Sequence, residues 1–397
     1  MDDDARARDL ESGEAWRDFC DRLKAVGESL TSDAFPSAPR DRAEGYRYLT
    51  RLLAYAMRME IECGDPLFPQ LCRYEEPHTQ WGGPNPDNTY LRARIDPAHA
   101  YRVWGDLTGM RQIIASLQEG DMQLAQYGVF SEQTLDDWTL GPNGELELVI
   151  AKERPAGAAN WMPMHDQARL FQVRVYLSDW VNDASPVLHI ERIGAEGEPP
   201  PPPEPAAVAA GLDRAVDWVA KSAAYWNRYT WKSFERATPN AVAAARSTPG
   251  GADNIKYGSC FWDLADDEAL LFTCEEPEAQ YYNFCIHTMT WLESGDFANR
   301  QVSLSGHQLH VDDDGRLRVV LAARDPGVPN WIDTEGRRNG LFAYRWVWAS
   351  TSPEPTGEVM KVDAVRARLP AGHPVVSPDE RRARLRARRE AFWSRYL

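Results

Sequence analysis

The 397-residue chain has few cysteines and no excess of positive charge, and both shortages narrow the possible functions. Its six cysteines form no C-x-x-C pair and no metal-type spacing, so the sequence predicts free thiols and neither a metal nor a cofactor. The chain has 60 acidic and 44 basic residues, for a net charge of −16. Nucleic acids and anionic membranes bind basic surfaces, so we expect neither as a partner.

Long apolar runs and common catalytic signatures are also missing. No apolar run reaches the roughly 18 residues that suggest a membrane-spanning helix. The opening segment Met-Asp-Asp-Asp-Ala-Arg has no apolar signal core, which together with the free thiols predicts a cytoplasmic protein. A glycine-rich phosphate loop, G-x-S-x-G and H-E-x-x-H are all absent from the sequence. These absences disfavour nucleotide-binding proteins, serine hydrolases and zincin proteases.

An internal repeat is the most informative feature that is present. Three motifs return in order: Gly144–Ala151 as Gly315–Ala322, Asn160-Trp161 as Asn330-Trp331, and Leu170–Arg174 as Leu341–Arg345. The Gly-to-Asn spacing is 16 residues in the first copy and 15 in the second. Further upstream, Asp96-Pro97 with Tyr101 resembles Glu276-Pro277 with Tyr281. The repeat predicts two related units of about a hundred residues each, built from alternating strands.

Periodicity assigns the elements. Apolar spacing predicts a helix over 16–30 with Ser12 as its N-cap, and a second helix after Pro39 that ends near Gly64. It predicts a third helix over 212–226, which either stops before Pro239 or continues to Arg246. A short helix at 110–117, a loop at 247–252, and a basic helix at 381–389 followed by Phe392, Trp393 and Tyr396 are also predicted. Alternation predicts strands at 90–96, 101–104, 121–127, 146–151, 170–177, 269–274, 281–287, 308–311, 317–322 and 341–348.

The expected fold is mainly β with α segments, in the α+β class. We expect two tandem, duplicated, antiparallel β-sandwich domains of jelly-roll type, each preceded by a helical segment and assembled as a homo-oligomer. The predicted divisions are a helical segment at 1–74, copy one at 75–197, a polyproline linker and helical segment at 198–254, copy two at 255–352, and a C-terminal tail and helix at 353–397.

Two motifs indicate a family. Trp81–Tyr90 (WGGPNPDNTY) and the segment from Arg324 through Asn330-Trp331 to Asp333 resemble the DUF1214 family, which is related to DUF1254. The resemblance extends from about residue 45 to 350. It implies a double β-sandwich, in agreement with the repeat. Relatives are common in actinobacteria that degrade lipids, steroids and terpenoids, which gives a context but no mechanism.

The loop at 75–88 is the densest polar, turn-forming stretch, and copy two has no equivalent of it. Glycines and prolines fix its path, while His78, Asp87 and Asn88 are candidates for acid, base or hydrogen-bond donor. Trp81 and Tyr90 at its end are candidates for substrate contact. The alternative is a turn, capped by Asp87 and Asn88, that enters the next strand.

The residues that come after the two Asn-Trp motifs differ between the copies. Because both copies share Asn and Trp, we interpret the pair first as a structural corner, with Trp161 and Trp331 also considered as walls of a binding site. The divergent residues are better candidates for chemistry. His165 and Asp166 are a possible acid–base pair, and Asp333 and Glu335 are possible carboxylates. The alternative for all four is an exposed hairpin tip.

Other candidates lie in copy two. Arg345 is expected to point inward, toward an anionic ligand group or into a structural salt bridge. Trp291 and Arg300, with Glu293 and Asp296, form a polar and aromatic group that is a candidate for a pocket lining. His307 and His310 lie near three aspartates, but residues three apart in a strand point to opposite faces, which argues against joint metal ligation.

The sequence therefore predicts a cofactor-independent acid–base enzyme, a hydrolase or lyase. Its expected substrate is an apolar or hydroxylated small molecule such as a terpenoid, steroid or glycoside, because carboxylates and histidines lie among aromatic residues. Two alternatives stay open. One is a glycosidase with a carboxylate pair, and the other is a non-catalytic β-sandwich that binds a small molecule or a partner.

Overall fold

The computed structural model describes residues 2–247 and 254–395, which form two compact units. Unit 1 comprises 2–81, 89–175 and 184–228. Unit 2 comprises 82–88, 176–183, 229–247 and 254–395. Two short segments of the first half of the chain, 82–88 and 176–183, thus belong to unit 2. Most of the predicted loop at 247–252, and Tyr396, lie outside the described residues.

The helices are α1 Asp3–Glu11, α2 Glu14–Ser29, α3 Pro39–Met57, α4 Pro205–Arg236, α5 Val365–Arg368 and α6 Pro378–Trp393. The helices predicted after Pro39, before Pro239 and at 381–389 are confirmed. The predicted cap is wrong, because Ser12 is the C-cap of α1 and Gly13, with its positive φ, is the N-cap of α2. None of the described helices is long and apolar enough to cross a membrane.

The strands of the first half are β1 Cys72–Tyr74, β2 Asn88–Arg94, β3 Tyr101–Asp106, β4 Gln112–Gln118, β5 Val129–Thr134, β6 Glu145–Ala151, β7 Asn160–Pro163, β8 Leu170–Tyr176 and β9 Leu188–Arg192. Those of the second half are β10 Ala243–Ser247, β11 Ile255–Asp263, β12 Glu268–Glu275, β13 Ala279–His287, β14 Ser303–Ser305, β15 Arg316–Ala322, β16 Trp331–Asp333, β17 Asn339–Ala349 and β18 Thr356–Lys361.

The strand order confirms the duplication. The five-stranded sheets have the orders β1-β2-β8-β4-β5 and β10-β11-β17-β13-β14. The four-stranded sheets have the orders β7-β6-β3-β9 and β16-β15-β12-β18. Each strand of the first half therefore has a counterpart nine places later. The sheets are not wholly antiparallel, because β6 pairs with β7, and β15 with β16, in parallel.

Four local predictions are wrong. The predicted helix at 110–117 is strand β4, whose buried apolar run lies between β8 and β5. A short, fully buried run has no periodicity that separates helix from strand. The segment 121–127 contains a 3₁₀ turn at Met122–Leu124 instead of a strand. The segment 308–311 follows a 3₁₀ turn at Gly306–Gln308 and has only an isolated bridge from Val311 to Leu317. Tyr101 and Tyr281 are not counterparts, because they lie in a four-stranded and a five-stranded sheet respectively.

The core of unit 2 lies between its two sheets. Tyr282, Phe284 and Ile286 of β13 and Phe272 of β12 belong to one cluster of buried apolar side chains. Successive side chains of a strand point to opposite faces, so the odd-numbered residues of β13 face away from this core. That outer face of the five-stranded sheet bears Tyr281, Asn283, Cys285 and His287.

Candidate functional site

The outer face of β13 presents four polar side chains at alternate positions, from Tyr281 to His287. The neighbouring strand β17 places Arg345 directly opposite Asn283. The segment Gly82–Asn88 hydrogen-bonds to this face and buries it. We call the resulting group the Asp87 cluster; all of its side chains are less than a tenth exposed, and its members are Asn85, Asp87, Tyr281, Asn283, Cys285, His287, Ser294 and Arg345.

Asp87 is fully buried and accepts two hydrogen bonds from aromatic side chains. The Tyr281 hydroxyl donates to Oδ2 at 2.6 Å, and Trp180 Nε1 donates to Oδ1 at 2.8 Å. Burial raises the pKa of the Asp87 carboxyl above its usual value, while these hydrogen bonds and the nearby Arg395 and Arg388 lower it. Burial also raises the pKa of Tyr281 well above 10, so its phenol stays neutral.

Asn85 connects the loop to the strand. Its Nδ2 donates to Tyr281 Oη at 2.9 Å, and its Oδ1 accepts from Asn283 Nδ2 at 2.7 Å. The same oxygen accepts the Asp87 backbone N–H at 3.1 Å. The loop path also needs glycine, because Gly82 and Gly83 both have positive φ, at 68° and 75°. The cluster and the loop therefore hold each other in place.

A second chain of contacts runs through His287. Its Nδ1 lies 3.0 Å from Ser294 Oγ, which donates to the Pro84 carbonyl, so Nδ1 bears the proton shared with the serine. Nε2 lies 3.5 Å from Cys285 Sγ, and Arg345 donates to that sulfur at 3.0 Å. Burial lowers the pKa of His287 well below 6.5, so the imidazole is neutral. Burial raises the pKa of the Cys285 thiol, while Arg345 lowers it.

The cluster thus combines groups that complement one another chemically. A carboxyl group with a raised pKa can donate a proton, and a neutral imidazole can accept one. The Arg345 guanidinium is a fixed positive charge next to both Cys285 and the Gly83 carbonyl. Titratable groups perturbed by burial and by specific partners concentrate at functional sites.

The predicted site residues of unit 1 have separate surroundings. Trp81 is buried among the rings of Tyr55, Tyr74 and Trp218, and Tyr90 packs on Tyr74. His78 is exposed.

His165 and Asp166 do not contact each other as an acid–base pair. His165 stacks on Phe130 with ring centroids 3.9 Å apart, and its Nδ1 accepts the Gln167 N–H. Asp166 pairs with Lys152, which lowers the pKa of that carboxyl. Both residues are exposed, as the hairpin-tip alternative expects.

The predicted residues of unit 2 form more than one group. Asp87 and Arg345 belong to the Asp87 cluster, and Asn88 accepts a bond from Asn85 at 3.0 Å. Asp333 pairs with Arg300 at 2.7 Å; burial raises the pKa of this carboxyl and Arg300 lowers it. Glu335 accepts the Asp296 N–H and pairs with Arg337. Trp291 is buried.

The two Asn-Trp motifs are equivalent corners. Asn160 donates to the carbonyls of Thr139 and Glu147 and accepts the Thr139 N–H, while the Trp161 indole donates to the Ala151 carbonyl. In the second copy, Asn330 makes the same three bonds to His310 and Arg318, and Trp331 donates to the Ala322 carbonyl. Each indole N–H is thus used within the fold.

Sequence reasoning missed most of the Asp87 cluster: Asn85, Tyr281, Asn283, Cys285, His287 and Ser294. A signal was present, since Tyr-Tyr-Asn-Phe-Cys-Ile-His alternates polar and apolar residues over 281–287, with polar groups where an outward-facing surface is expected. What the alternation does not show is that a loop from some 200 residues earlier covers this surface and buries it.

Unit 1 contains a separate, open groove of about 700 Å³ on its four-stranded sheet. Trp104 lines the groove, stacked on His189 at 5.2 Å, with the Arg102 guanidinium 4.8 Å from the Trp104 ring. Arg102 is held by Glu147 and Glu191. Two further carboxylates line the groove, Asp106 and Glu145, whose pKa values are lowered by hydrogen bonds from Thr108 and Asn143.

This architecture defines the chain as a protein of two duplicated β-sandwich units with helices. The profile of DUF1214, a family of proteins of unknown function, matches residues 117–179. The crystal structure of an uncharacterised protein from Burkholderia cenocepacia is similar, with 32% identity, coverage of 90% of this chain and 99% of the other, and a TM-score of 0.82. The chain belongs to the DUF1214 family.

A structure from Vibrio parahaemolyticus is 14% identical, over 79% of this chain and 98% of the other, with a TM-score of 0.44. Among curated proteins, no sequence matches the chain significantly.

Proposed function

We propose that the protein is an acid–base enzyme, a hydrolase or lyase that acts on an apolar or hydroxylated small molecule, with the Asp87 cluster as its active centre. The observation that supports this proposal is the burial of Asp87 of the loop against the strand face that bears Tyr281 and His287, each of the three with a shifted pKa. Burying ionisable groups lowers the stability of a protein, and groups with shifted pKa values concentrate at functional sites.

Each group has a role in the proposed reaction. Asp87, hydrogen-bonded to Tyr281, is the proton donor. His287 accepts a proton at Nε2, the nitrogen that faces Cys285. Arg345 stabilises negative charge that develops on the substrate. The rings of Trp180 and Tyr281 supply the apolar wall expected for a terpenoid, steroid or glycoside. None of these roles requires a cofactor.

Substrate entry requires the loop Gly82–Asn88 to move, because its own Asp87 and the Cys285 side chain that it covers are both fully buried. The loop is suited to such movement, since its first two residues are glycines that can change conformation at low cost. Closure over bound substrate would exclude water and so strengthen the interactions of Asp87 and Arg345.

Turnover by matched variants tests the proposal. Wild type, Asp87→Asn, Tyr281→Phe and Tyr282→Phe are incubated with a library of terpenoids, steroids and glycosides, and consumption is followed by mass spectrometry. Tyr282 is the control, because its hydroxyl bonds Glu276 and its ring packs in the core on the opposite face. We expect Asp87→Asn and Tyr281→Phe to lower turnover by about 100-fold or more and Tyr282→Phe to retain it. Wild-type turnover by Asp87→Asn would rule out Asp87 as the acid.

The groove of unit 1 favours a second candidate function, the binding of a small molecule without catalysis. An aromatic platform flanked by charged groups is suited to a ring that has hydroxyl groups. The groove is less suited to a glycosidase. The lowered pKa values of Asp106 and Glu145 keep these carboxylates ionised, whereas a glycosidase needs one protonated acid.

Binding measurements separate this candidate from the first. Trp104→Ala removes the platform, and Trp16→Ala removes an indole that is 54% exposed and does not line the groove. We expect ligands found by a fluorescence screen to lose affinity at least about tenfold in Trp104→Ala and to keep it in Trp16→Ala. Equal affinity in both variants would exclude the groove as the binding site.

A further inference from the structure

We propose that His310, Asp312 and His373 bind one divalent transition-metal ion, with zinc as the ion to test. One possible ligand atom from each residue lies within 4.8 Å of the other two. His373 Nδ1 is 2.7 Å from Asp312 Oδ1, and His310 Nε2 is 3.4 Å from the same oxygen. Tetrahedral zinc ligands lie roughly 3.4 Å apart, so small adjustments accommodate an ion. Imidazole and carboxylate groups together suit zinc and related ions.

The surrounding fold holds the three residues in position. Asn330 fixes both the N–H and the carbonyl of His310. Arg318 donates to Asp312 Oδ2 at 2.7 Å, which orients the carboxylate and leaves Oδ1 toward the two imidazoles. His373 is fixed by its own backbone, which bonds Pro370 and accepts from Arg366. Such supporting contacts are typical of metal sites, where they orient the ligands.

His373 is the most deeply buried of the three ligands. Its side chain is completely buried, and Nδ1 is the ring nitrogen that faces Asp312. The ion would therefore take the place of the direct contact between Nδ1 and the carboxylate.

Exposure of the third ligand gives the ion a route to solvent. The side chain of His310 is 34% exposed, whereas that of Asp312 is 3% exposed. The ion would have two buried donors and one at the surface. Three protein ligands leave at least one coordination position for water.

The repeat shows that this site arose in one copy. Asn160 makes with Thr139 the bonds that Asn330 makes with His310, so Thr139 is the counterpart of His310. Two residues further along, Gly141 of copy one corresponds to Asp312, since each N–H bonds the residue four positions later. The same corner therefore bears metal-ligand side chains only in the second copy. The proposal does not depend on the acid–base function.

Calorimetric titration of the full chain with zinc chloride tests the site. We expect wild type to bind one Zn²⁺ per chain, and His310→Gln and His373→Gln to weaken binding at least about tenfold. His307→Gln is the matched control, because His307 is an exposed neighbour whose acidic contact is Asp179 rather than Asp312. It should bind zinc like wild type. Cobalt substitution provides a second readout, since its visible spectrum reports nitrogen and oxygen ligands directly.

Two results would overturn the proposal: no zinc binding by wild type, or wild-type affinity in His310→Gln. Melting curves without metal establish that the variants are folded. If the buried His373→Gln variant does not fold, the partly exposed His310→Gln variant decides the question alone.

Discussion

At the scale of single residues, His287 illustrates how burial selects a protonation state. Its neutral imidazole is consistent with two contacts that need opposite roles: a protonated Nδ1 toward Ser294 and an unprotonated Nε2 toward Cys285. A second proton would leave a buried charge next to Arg345, and both burial and Arg345 lower the pKa of His287. The folded state therefore resists protonation in a pH range where the unfolded chain accepts it.

This difference predicts a pH dependence of stability. Between pH 7.5 and 5.5 the unfolded imidazole, with a pKa of 6.5, takes up a proton that the folded protein does not. Lowering the pH therefore favours unfolding, and the contribution of His287 to the lost stability reaches at most about 1.4 kcal/mol over this range. Urea unfolding of wild type and of His287→Gln at both pH values measures this loss of stability. The two proteins would lose stability equally if His287 titrated normally.

At the scale of elements, the Asn-Trp corners allow a paired prediction. Asn160 and Asn330 are both buried and make three equivalent bonds each. Replacing either by Ala leaves buried backbone groups unsatisfied, at a cost of about 3 kcal/mol. We expect equal losses in the free energy of unfolding, measured with urea. A loss in only one variant would mean that the corners are not equivalent.

Only Asn330→Ala should also weaken zinc binding, since Asn330 holds His310 and Asn160 holds Thr139. The exposed Asn182→Ala is a control for the stability measurement. Zinc affinity unchanged in Asn330→Ala would mean that this contact does not position His310.

The loop over the Asp87 cluster gives a further prediction. Gly83→Ala places an alanine at a φ of +75°, which costs about 1–2 kcal/mol of folding free energy. The added Cβ would lie 3.4 Å from Leu292 and 3.5 Å from His287. If this strain is relieved when the loop opens, labelling of Cys285 by a thiol reagent should accelerate roughly 5- to 30-fold. Gly157→Ala is the matched control, with a φ of +82° and no atom within 4 Å of the added Cβ. Equal acceleration in both variants would indicate general destabilisation.

The sequence was most informative where a pattern is local. The repeat predicts two related units, which the paired strand orders confirm, and the shared Asn-Trp motif predicts a corner. Contacts between distant segments have no such local pattern. The sequence argues only against joint metal ligation by His307 and His310, whereas the proposed site pairs His310 with His373, more than 60 residues later. Likewise, Asp87 was found from its loop, but Tyr281 and His287 were not, because only the folded chain brings them together.

At the scale of the whole molecule, one expectation concerns assembly. Trp16 and Tyr46, on helices α2 and α3, are 54% and 47% exposed. Contiguous exposed apolar patches are typical of interaction surfaces, and these two rings are candidates for such a patch. We expect light scattering after gel filtration to give a multiple of the 44.9 kDa chain mass. A mass of 44.9 kDa at micromolar concentration would contradict a homo-oligomer.

The central claim is that the Asp87 cluster becomes accessible in the native protein, since no substrate reaches it otherwise. Labelling of the cysteines with iodoacetamide, followed by mass spectrometry, tests it most directly. Cys20 is exposed and marks the fast limit, while Cys260 and Cys274 lie in the core between the sheets and mark global unfolding. We expect Cys285, although fully buried, to be labelled well before Cys260 and Cys274 and at a rate that dilute urea does not change. Labelling of Cys285, Cys260 and Cys274 at one rate would contradict the accessibility of the Asp87 cluster in the native protein.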